Sequence, residues 1–419
     1  TVEVWRYKDG TSQMEYYFEV EEVTAFDYSN DVLAVGEELH LEVVNPNGKY
    51  TPYLNTGDSV RVRLSNPAVN GGTPTTKHVG VVVGRKANGR RGTINVVSAD
   101  LGWHLQNNAA PLWYNLRRAR YIDLVDPTRP KPLIDPSFGI QGVRASNDVQ
   151  RRLLQGLKQG RASVKAGAQQ VTDPVFAIQA EPGDAIWDII TKYLQRLNLL
   201  ANVSVDGFIQ IWNPDYRQEP SYAVDVRNDQ TGSTVVLDNE LVETLTGRYT
   251  AVECVGEQIG YEGAQDLSNP NAGKRRGAFY APRLLPFTHR LTFGDGEMFS
   301  RDLAKKQAEW RWKRSLYDSF FLRYDVPDHH QNGVWYESDT MVNVYDETLG
   351  IKGLFYCAAV SQEGTRGQGD RTTLLLRLPG LLSASWGEWK SPPVMRSAAE
   401  GERAYPAKAS SNATTTEVK

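Results

Sequence analysis

Apolar residues recur at three- and four-residue steps between Glu181 and Leu200, a spacing that predicts one amphipathic helix. Pro182 suits the first turn of this helix, where its missing N–H costs nothing. Asp184 places negative charge near the positive end of the helix dipole. An aspartate in place of Leu197 would put an unpaired charge in the core and cost several kcal/mol. The expected buried face contains Ile186, Ile189, Ile190, Tyr193, Leu197 and Leu200.

A hairpin is predicted directly after this helix. Val203 and Val205 alternate with polar residues, and Phe208 to Trp212 form the expected return strand. Asp206-Gly207 lies between them and is typical of a two-residue type I′ turn. A helix and a hairpin this apolar have to pack against a larger body.

The first hundred residues have the pattern of a small all-β barrel or sandwich. Turn-forming pairs such as Asn47-Gly48 and Asn88-Gly89 separate short runs of alternating or β-branched residues. The predicted strands are Tyr16–Thr24, Glu38–Val44, Ser59–Leu64, Val79–Val83 and Thr93–Val97. A short helix is expected between Ser98 and Trp113, with Ser98 or Asp100 as its N-cap.

The second half of the chain repeats the strand-rich pattern around one long helix, Ser300–Ser319. One broad side of this helix is expected to contain Leu303, Gln307, Trp310, Arg314 and Tyr317, with Ala304, Ala308, Trp312 and Leu316 near it. The predicted strands are Ser221–Asp229, Thr234–Asp238, Arg248–Gly256, Phe320–Val326, Thr340–Tyr345, Leu354–Gln362 and Arg371–Leu378.

The chain has 419 residues, a length typical of two to four domains, and a formal net charge of −3. A charge this close to zero gives no overall attraction to nucleic acid or to an anionic membrane. No apolar run approaches the roughly 20 residues of a membrane helix. The opening residues, TVEVWRYKDG, contain no signal-peptide pattern.

Four segments differ from their surroundings. Asp126–Pro136 carries four prolines and is expected to be a rigid linker. Arg144–Lys165 carries six basic residues and one acidic residue, which is typical of a solvated helix face or of a contact with an acidic protein or a polyanion. Gly260–Gly277, with Lys274-Arg275-Arg276, is expected to be a surface loop, and the residues after Trp389 a flexible tail.

No constellation for catalysis, cofactor binding or metal binding is predicted, because no G-x-S-x-G, H-E-x-x-H, Walker loop or C-x-x-C is present. His329-His330 is interpreted as part of a polar loop, since no further ligand has helical spacing to it. Gly364–Gly369 joins two strands, which disfavours a phosphate site. Asp184 and Asp188 are interpreted as a solvated face, and Cys254 and Cys357 as reduced, buried side chains.

The region from Gln307 to Gly380 resembles the C-terminal part of Mu-type bacteriophage baseplate hub proteins. The residues that carry the resemblance are Ala308-Glu309-Trp310, Asn332-Gly333, Trp335, Met341-Val342, Leu349-Gly350-Ile351 and Gly353. The helix from Glu181 with its hairpin is similar to the central element of that family, and Tyr249–Gln258 resembles its second barrel. The resemblance covers about residues 180–380, and its motifs are structural.

The resemblance implies a β-rich α+β fold, with two tail-tube-like β-barrels and a helix-bearing domain between them. The barrels are expected mainly from Val2–Ser98 and from Ser221–Gly256 with Phe320–Pro379. The implied divisions are 1–100, a barrel; 101–220, the middle domain; 221–299, strands of the second barrel; 300–385, the long helix and last strands; and 386–419, the tail. T-even phage hubs and the first part of type VI secretion spikes share this fold.

The implied role is a structural hub at the centre of a phage tail tip, with no enzymatic activity. Three copies would form a ring that adapts the six-fold tail tube to a three-fold central spike and leaves a channel for DNA. The expected partners are the spike, the tail tube or distal tube protein, the tape measure protein and wedge proteins of the baseplate. The expected location is the virion, with assembly in the host cytoplasm, and the segment Arg144–Lys165 is expected to lie away from the channel.

Two other functions remain open from the residues alone. A tail-associated cell-wall hydrolase would need histidines or carboxylates converging in a cleft. A glycan-binding tail-tip module would need exposed aromatic side chains on one sheet face, and the ten Trp and twenty Tyr permit this.

Overall fold

Strands dominate the structure, and most of them pair antiparallel, which is the β-rich α+β class predicted from the sequence. The computed structural model describes residues 1–7, 14–110, 115–116, 140–145, 178–179, 182–196, 199–229, 231–256, 276–280, 287–295, 301–367 and 369–382. These ranges contain one 13-stranded sheet, two three-stranded sheets and two short strand pairs.

The first block is a run of seven antiparallel strands in the spatial order β3-β4-β7-β6-β5-β1-β2. Their side chains meet in one core that contains residues of every strand, among them Val4, Val20, Leu41 and Val96. Only Glu21 and Glu22 separate β2 from β3, so the two ends of the run are consecutive in the chain. The seven strands therefore surround a single core. They are β1 Val2–Tyr7, β2 Met14–Val20, β3 Val23–Asp31, β4 Glu38–Val44, β5 Ser59–Leu64, β6 Thr75–Asn88 and β7 Thr93–Asp100.

A short helix, α1 (Trp103–Asn107), follows the first block as predicted. Its N-cap is Gly102, so the predicted cap at Ser98 or Asp100 is wrong, but Asp100 Oδ1 accepts hydrogen bonds from the backbone N–H groups of Gly102 and Trp103 and so fixes the turn that leads into the helix. Ser98 lies buried within β7.

The middle part contains the predicted central helix, which is shorter than expected. Helix α2 spans Ile186–Arg196 and buries Ile186, Ile189, Ile190 and Leu194. Pro182 lies in a turn four residues before the helix, so its predicted place in the first helical turn is wrong. Tyr193 belongs to the helix, but its side chain, like Leu197, lies outside the described set. Three short strands precede α2: β8 Asn115–Leu116, β9 Gly142–Ala145 and β10 Ile178–Gln179.

The predicted hairpin is present as β11 (Leu200–Val203) and β12 (Phe208–Trp212). Its turn differs from the expected type I′, because only Gly207 has a positive φ, of 79°, and Asp206 does not. Val203 pairs with Ile209, and the N–H of Ser204 bonds to the carbonyl of Phe208, which leaves a three-residue loop. A type I turn followed by a left-handed glycine explains this geometry.

The second block has the strand order β14-β18-β23-β22-β21-β13. Its last four long strands agree closely with the predicted ones. The predicted strand Thr234–Asp238 is wrong, because β14 begins only at Asp238, and Val235 and Leu237 lie exposed before it. The strands are β13 Tyr222–Val226, β14 Asp238–Glu243, β18 Phe320–Pro327, β19 His330–Gln331, β20 Val334–Trp335, β21 Thr340–Asp346, β22 Ile351–Thr365 and β23 Gly369–Arg377.

Strand β22 joins the two blocks into one sheet. Its first half pairs with β21, and its second half, Ala359–Thr365, pairs with β3 of the first block. The ladder between β22 and β23 shifts register between Cys357 and Ala359, and the carbonyl of Ala358 accepts a hydrogen bond from the Val32 N–H. The bulge therefore lies where β22 changes its neighbour.

The long helix α3 (Arg301–Ser319) packs on a three-stranded sheet formed by β15 (Ala251–Gly256), β16 (Arg276–Tyr280) and β17 (Arg290–Asp295). Its innermost face contains Ala304, Ala308, Trp312 and Leu316. Trp310 and Arg314, which belong to the broad side predicted from the sequence, are half-buried. The helix approaches β16 closely at Gly277, where an added Cβ would lie 2.1 Å from the Lys305 backbone nitrogen. Trp312 Nε1 donates to the Tyr249 carbonyl at 2.9 Å.

Several predictions fall on residues outside the described ranges. They are the linker Asp126–Pro136, the segment from Ser146 to Lys165, most of the loop Gly260–Gly277, and the tail after Trp389.

Candidate assembly surfaces

The longest path through the 13-stranded sheet ends in β2 at one side and in β14 at the other, while β21 and β13 branch from it at β22. Within the described part of the chain, each of these two strands pairs along one edge only. A free edge presents unpaired backbone N–H and C=O groups that a partner can use. The two ends are therefore candidate surfaces for contact with another chain.

Aromatic side chains mark the first end. Tyr16 and Tyr17 on β2 are 51% and 45% exposed, large fractions for tyrosine side chains on a strand. Tyr16 packs edge-on against Trp5, with ring centroids 5.6 Å apart. The guanidinium of Arg6 lies 4.5 Å from the centre of the Tyr17 ring, and Asp58 holds that guanidinium through two hydrogen bonds. We name Tyr16 and Tyr17 the aromatic patch.

Aliphatic side chains mark the second end. Val235, Leu237 and Leu245, which flank β14, are 67%, 57% and 50% exposed. Their backbone is fixed, because Leu237 N–H donates to the Asp325 carbonyl at 2.7 Å and Thr244 N–H to the Ser319 carbonyl at 2.9 Å. Val235 and Leu237 lie together before β14, whereas Leu245 lies at its other end, and exposed aliphatic residues on a fixed backbone mark a candidate interaction site. We name Val235 and Leu237 the aliphatic patch.

Polar contacts fix the two blocks relative to each other, and with them the two patches. Lys77 of β6 is buried and donates from Nζ to Glu337 Oε1 at 2.8 Å, while its ammonium lies 5.1 Å from the Trp335 ring. Ser338 bonds to Asn30 of β3 beside this pair. These contacts add to the β3–β22 ladder, so the junction is held by backbone and side chains together.

Two carboxyl groups lie close together beside the junction. Burial, with a smaller contribution from the nearby Asp100 carboxylate, raises the pKa of Glu37 to about 9. Burial also raises the pKa of Asp100 to about 6, against the backbone N–H groups that stabilise its charge. His78, fully buried beside Ser98, has a pKa lowered to about 4 because burial disfavours the imidazolium. Glu37 and His78 are therefore neutral at pH 7.

Glu37 makes the stability of the protein depend on pH. Folding raises the pKa of Glu37. Its contribution to the free energy of unfolding is therefore fully present below pH 4.5, the ordinary pKa of a glutamate, and is lost as the pH rises towards the folded-state pKa of about 9. We expect Glu37→Gln, which is neutral at every pH, to exceed the wild type in unfolding free energy by roughly 1–3 kcal/mol at pH 8, with a smaller difference at pH 5. Urea unfolding at both pH values measures this. Parallel stabilities of the two proteins from pH 5 to 9 would contradict the assignment.

The residues that were considered as possible sites in the sequence lie in separate parts of the structure and do not form a common site. His329 is buried, contacts Thr372 Oγ1 at 2.9 Å, and has a pKa that burial lowers. Gly364–Gly369 connects β22 to β23, as predicted. Asp188 is exposed on α2, and Asp184 lies in the loop before it. In the described ranges, no three His, Cys, Asp or Glu side chains converge as metal ligands.

The two cysteines have structural roles, and so do Arg144 and Arg276, which belong to the two basic segments noted in the sequence. Cys254 and Cys357 are buried and reduced, as predicted. Arg144 bonds to Asp206 at 3.3 Å, and its guanidinium lies 3.6 Å from the Phe208 ring centre. Arg276 belongs to β16 and bonds to Glu253. No helix within the described ranges has the length and apolar character needed to cross a membrane.

Sequence reasoning missed β1 and both patches. The alternation of Val2 and Val4 with Glu3 was a usable signal for β1. The patches carried no such signal, because an exposed apolar residue in a strand-rich segment looks like a core residue until the fold is known.

Two solved structures are similar to the chain over almost its whole length. The tail protein from Neisseria meningitidis MC58 covers 91% of this chain and 97% of its own, with a TM-score of 0.61 and 16% identity. The 43 kDa tail protein of prophage MuSo2 from Shewanella oneidensis covers 90% and 98%, with a TM-score of 0.62 and 15% identity. The chain has the tail-protein fold. The resemblance to Mu-type hub proteins is thereby confirmed at the level of the fold.

The similarity is confined to three-dimensional structure. No protein-family model and no curated protein sequence matches the chain. This chain and the two tail proteins share a fold although only 16% and 15% of their aligned residues are identical. The strand pattern and the core packing therefore specify the fold, rather than particular polar residues.

Proposed function

We propose that the chain is a structural hub protein of a phage tail tip and that three copies form a closed ring. In this role it adapts the six-fold tail tube to a three-fold central spike and leaves a passage for DNA. Its partners are the spike, the tube or distal tube protein, the tape measure protein and wedge proteins of the baseplate. The hub is assembled in the host cytoplasm and resides in the virion, and it carries out no catalysis.

The observation that supports this proposal best is the tail-protein fold with two β-blocks joined in a single sheet. A ring needs an interface between two different surfaces of neighbouring copies. The aromatic patch and the aliphatic patch are two such surfaces at opposite ends of one strand path. Three copies with two blocks each would present six block positions to a six-fold tube.

The location of the protein in the particle tests this function. Antibodies raised against the purified chain and coupled to gold should label one end of intact phage tails, at the tip distal to the capsid. Antibodies against the tube protein serve as the control and should label along sheath-free tubes. Labelling along the tube by the antibody against this chain, or its absence from particles, would contradict the hub role.

A further inference from the structure

A cleft of about 400 Å³ lies where the β11–β12 hairpin meets both blocks. The β11–β12 hairpin and the loop Tyr336–Asp339 form two of its walls, and β3, β6 and β22 form the others. Ligand pockets in proteins have volumes from roughly 300 to 1,000 Å³. The volume therefore suits a small organic molecule.

The alternation of side chains along two paired strands builds the floor of the cleft. Tyr28 and Asn30 of β3 lie directly opposite Gln362 and Val360 of β22. Positions two apart on a strand share one face, so these four side chains point the same way. The floor is fixed by main-chain hydrogen bonds and does not depend on a flexible loop.

Unpaired polar atoms lie along this cleft. Gln362 is 2% exposed, and its Oε1 has no hydrogen-bond partner within the described residues, although its Nε2 donates to the Tyr336 carbonyl. Asn202 Oδ1 on the hairpin wall is unpaired in the same way. Trp212 Nε1 is the corresponding donor without a hydrogen-bond partner among the described residues. A buried acceptor without a donor is costly, so the two amide oxygens favour an occupant that brings N–H groups.

The charges facing the cleft favour a cation. Four carboxyl groups line it, and because Glu37 is neutral at pH 7, the negative charge comes from Asp100, Glu337 and Asp339. Lys77 is the basic side chain that lines it, and its ammonium is already bonded to Glu337. His78 also lines it and is held neutral by burial. The pKa of Asp339 is raised to about 6 by burial, as expected of a carboxylate without a nearby positive charge. Trp212 and Tyr336 add aromatic surface, which attracts cations.

We propose that this cleft binds a small organic cation with primary ammonium groups, of the polyamine class. The ammonium N–H groups donate to Gln362 Oε1, Asn202 Oδ1 and the carboxylates of Glu337 and Asp339. An anion is disfavoured by these carboxylates, and a neutral ligand leaves the charge of Asp339 uncompensated, whereas Lys77 already pairs with Glu337. The proposal does not rest on the hub function, because every wall of the cleft comes from one copy of the chain.

Calorimetric titration of the purified full chain with spermidine at constant ionic strength tests the proposal. One site per chain is expected, with an affinity at least fivefold higher at pH 7.5 than at pH 5.5, because protonation of Asp100 and Asp339 removes charges that attract the ligand. Triethylene glycol, a neutral chain of similar length, and magnesium chloride serve as ligand controls. Spermidine that binds no better than these controls would overturn the proposal.

Two variants separate binding in the cleft from attraction to the acidic surface. Gln362→Met removes the unpaired oxygen in a side chain of similar shape, and Asp339→Asn removes one charge. Each should weaken spermidine binding at least fivefold, while Glu240→Gln on the exposed face of β14 should leave it unchanged. Thermal unfolding without ligand shows whether each variant is folded. If one of the two is unfolded, the spermidine affinity of the other tests the proposal. Equal affinity in wild type and both folded variants would overturn the proposal.

A lysine side chain of another protein carries the same primary ammonium group as a polyamine. A second titration distinguishes these two possible ligands. A short lysine-rich peptide is compared with spermidine under the same conditions. Binding of the peptide at the Gln362-dependent site without binding of spermidine would overturn the assignment to a free polyamine. Binding of spermidine alone, or tighter binding of spermidine, supports it.

Discussion

Replacement of Asp346 by alanine is expected to lower the free energy of unfolding by about 3 kcal/mol or more. Asp346 ends β21, is buried, and accepts five hydrogen bonds. Two donors come from side chains on other strands: Tyr324 Oη at 2.9 Å and Asn239 Nδ2 at 2.8 Å. The other three come from the turn after β21: the Leu349 N–H, the Thr348 N–H and the Thr348 hydroxyl. Alanine leaves the buried Tyr324 hydroxyl without its acceptor and releases the turn after β21.

Urea unfolding followed by circular dichroism measures this loss. Asp346→Asn keeps an acceptor oxygen and should cost less than the alanine variant. Asp188→Ala, at an exposed position on α2, is the matched surface control and should stay within about 0.5 kcal/mol of wild type. If the alanine variant at Asp346 has the same free energy of unfolding as this control, the five hydrogen bonds contribute little to stability.

Leu237→Asp is expected to abolish the ring without unfolding the chain. Leu237 is exposed, so the new carboxylate meets water in the free chain and costs little there. In the proposed ring it would be buried against the next copy, beside the carboxylates of Asp238 and Glu240. We expect association at least tenfold weaker by analytical ultracentrifugation, with unchanged circular dichroism. Val334→Asp, at a similarly exposed apolar position on β20, is the control and should assemble normally.

Mixing two blocked variants tests which surfaces meet. Tyr16→Asp blocks the aromatic patch and Leu237→Asp blocks the aliphatic patch. Each variant alone should remain monomeric, but a mixture keeps one intact interface between unlike variants and should form dimers that do not close. A mixture that stays monomeric, or that restores complete rings, would show that the two patches do not contact each other.

The sequence predicted the last four long strands well, because Phe320–Pro379 alternates apolar and polar residues between clear turn signals. It also predicted the central hairpin. The turn type was wrong because Asp206-Gly207 also fits a three-residue loop, and only the register of Val203 with Ile209 decides between them. The strand placed at Thr234–Asp238 was wrong because Val235 and Leu237 look like core residues in a sequence but are exposed in the fold.

The cleft could not have been predicted from the sequence. Its walls come from segments as far apart as Tyr28 and Gln362, which meet only because β22 extends past its bulge and pairs with β3. The role of Asp346 was hidden for the same reason, since its donors Asn239 and Tyr324 lie on two other strands. Local patterns specify strands and turns, whereas the pairing of distant strands creates these sites.

Light scattering on the purified full chain, alone and with the spike protein of the same tail, tests the ring most directly. The proposal predicts a particle of three chains, with a mass three times 46.9 kDa for the ring itself, and a central opening in electron micrographs. The Leu237→Asp variant should give the mass of one chain under the same conditions. A wild-type chain that stays monomeric at micromolar concentration with the spike present would contradict the hub function.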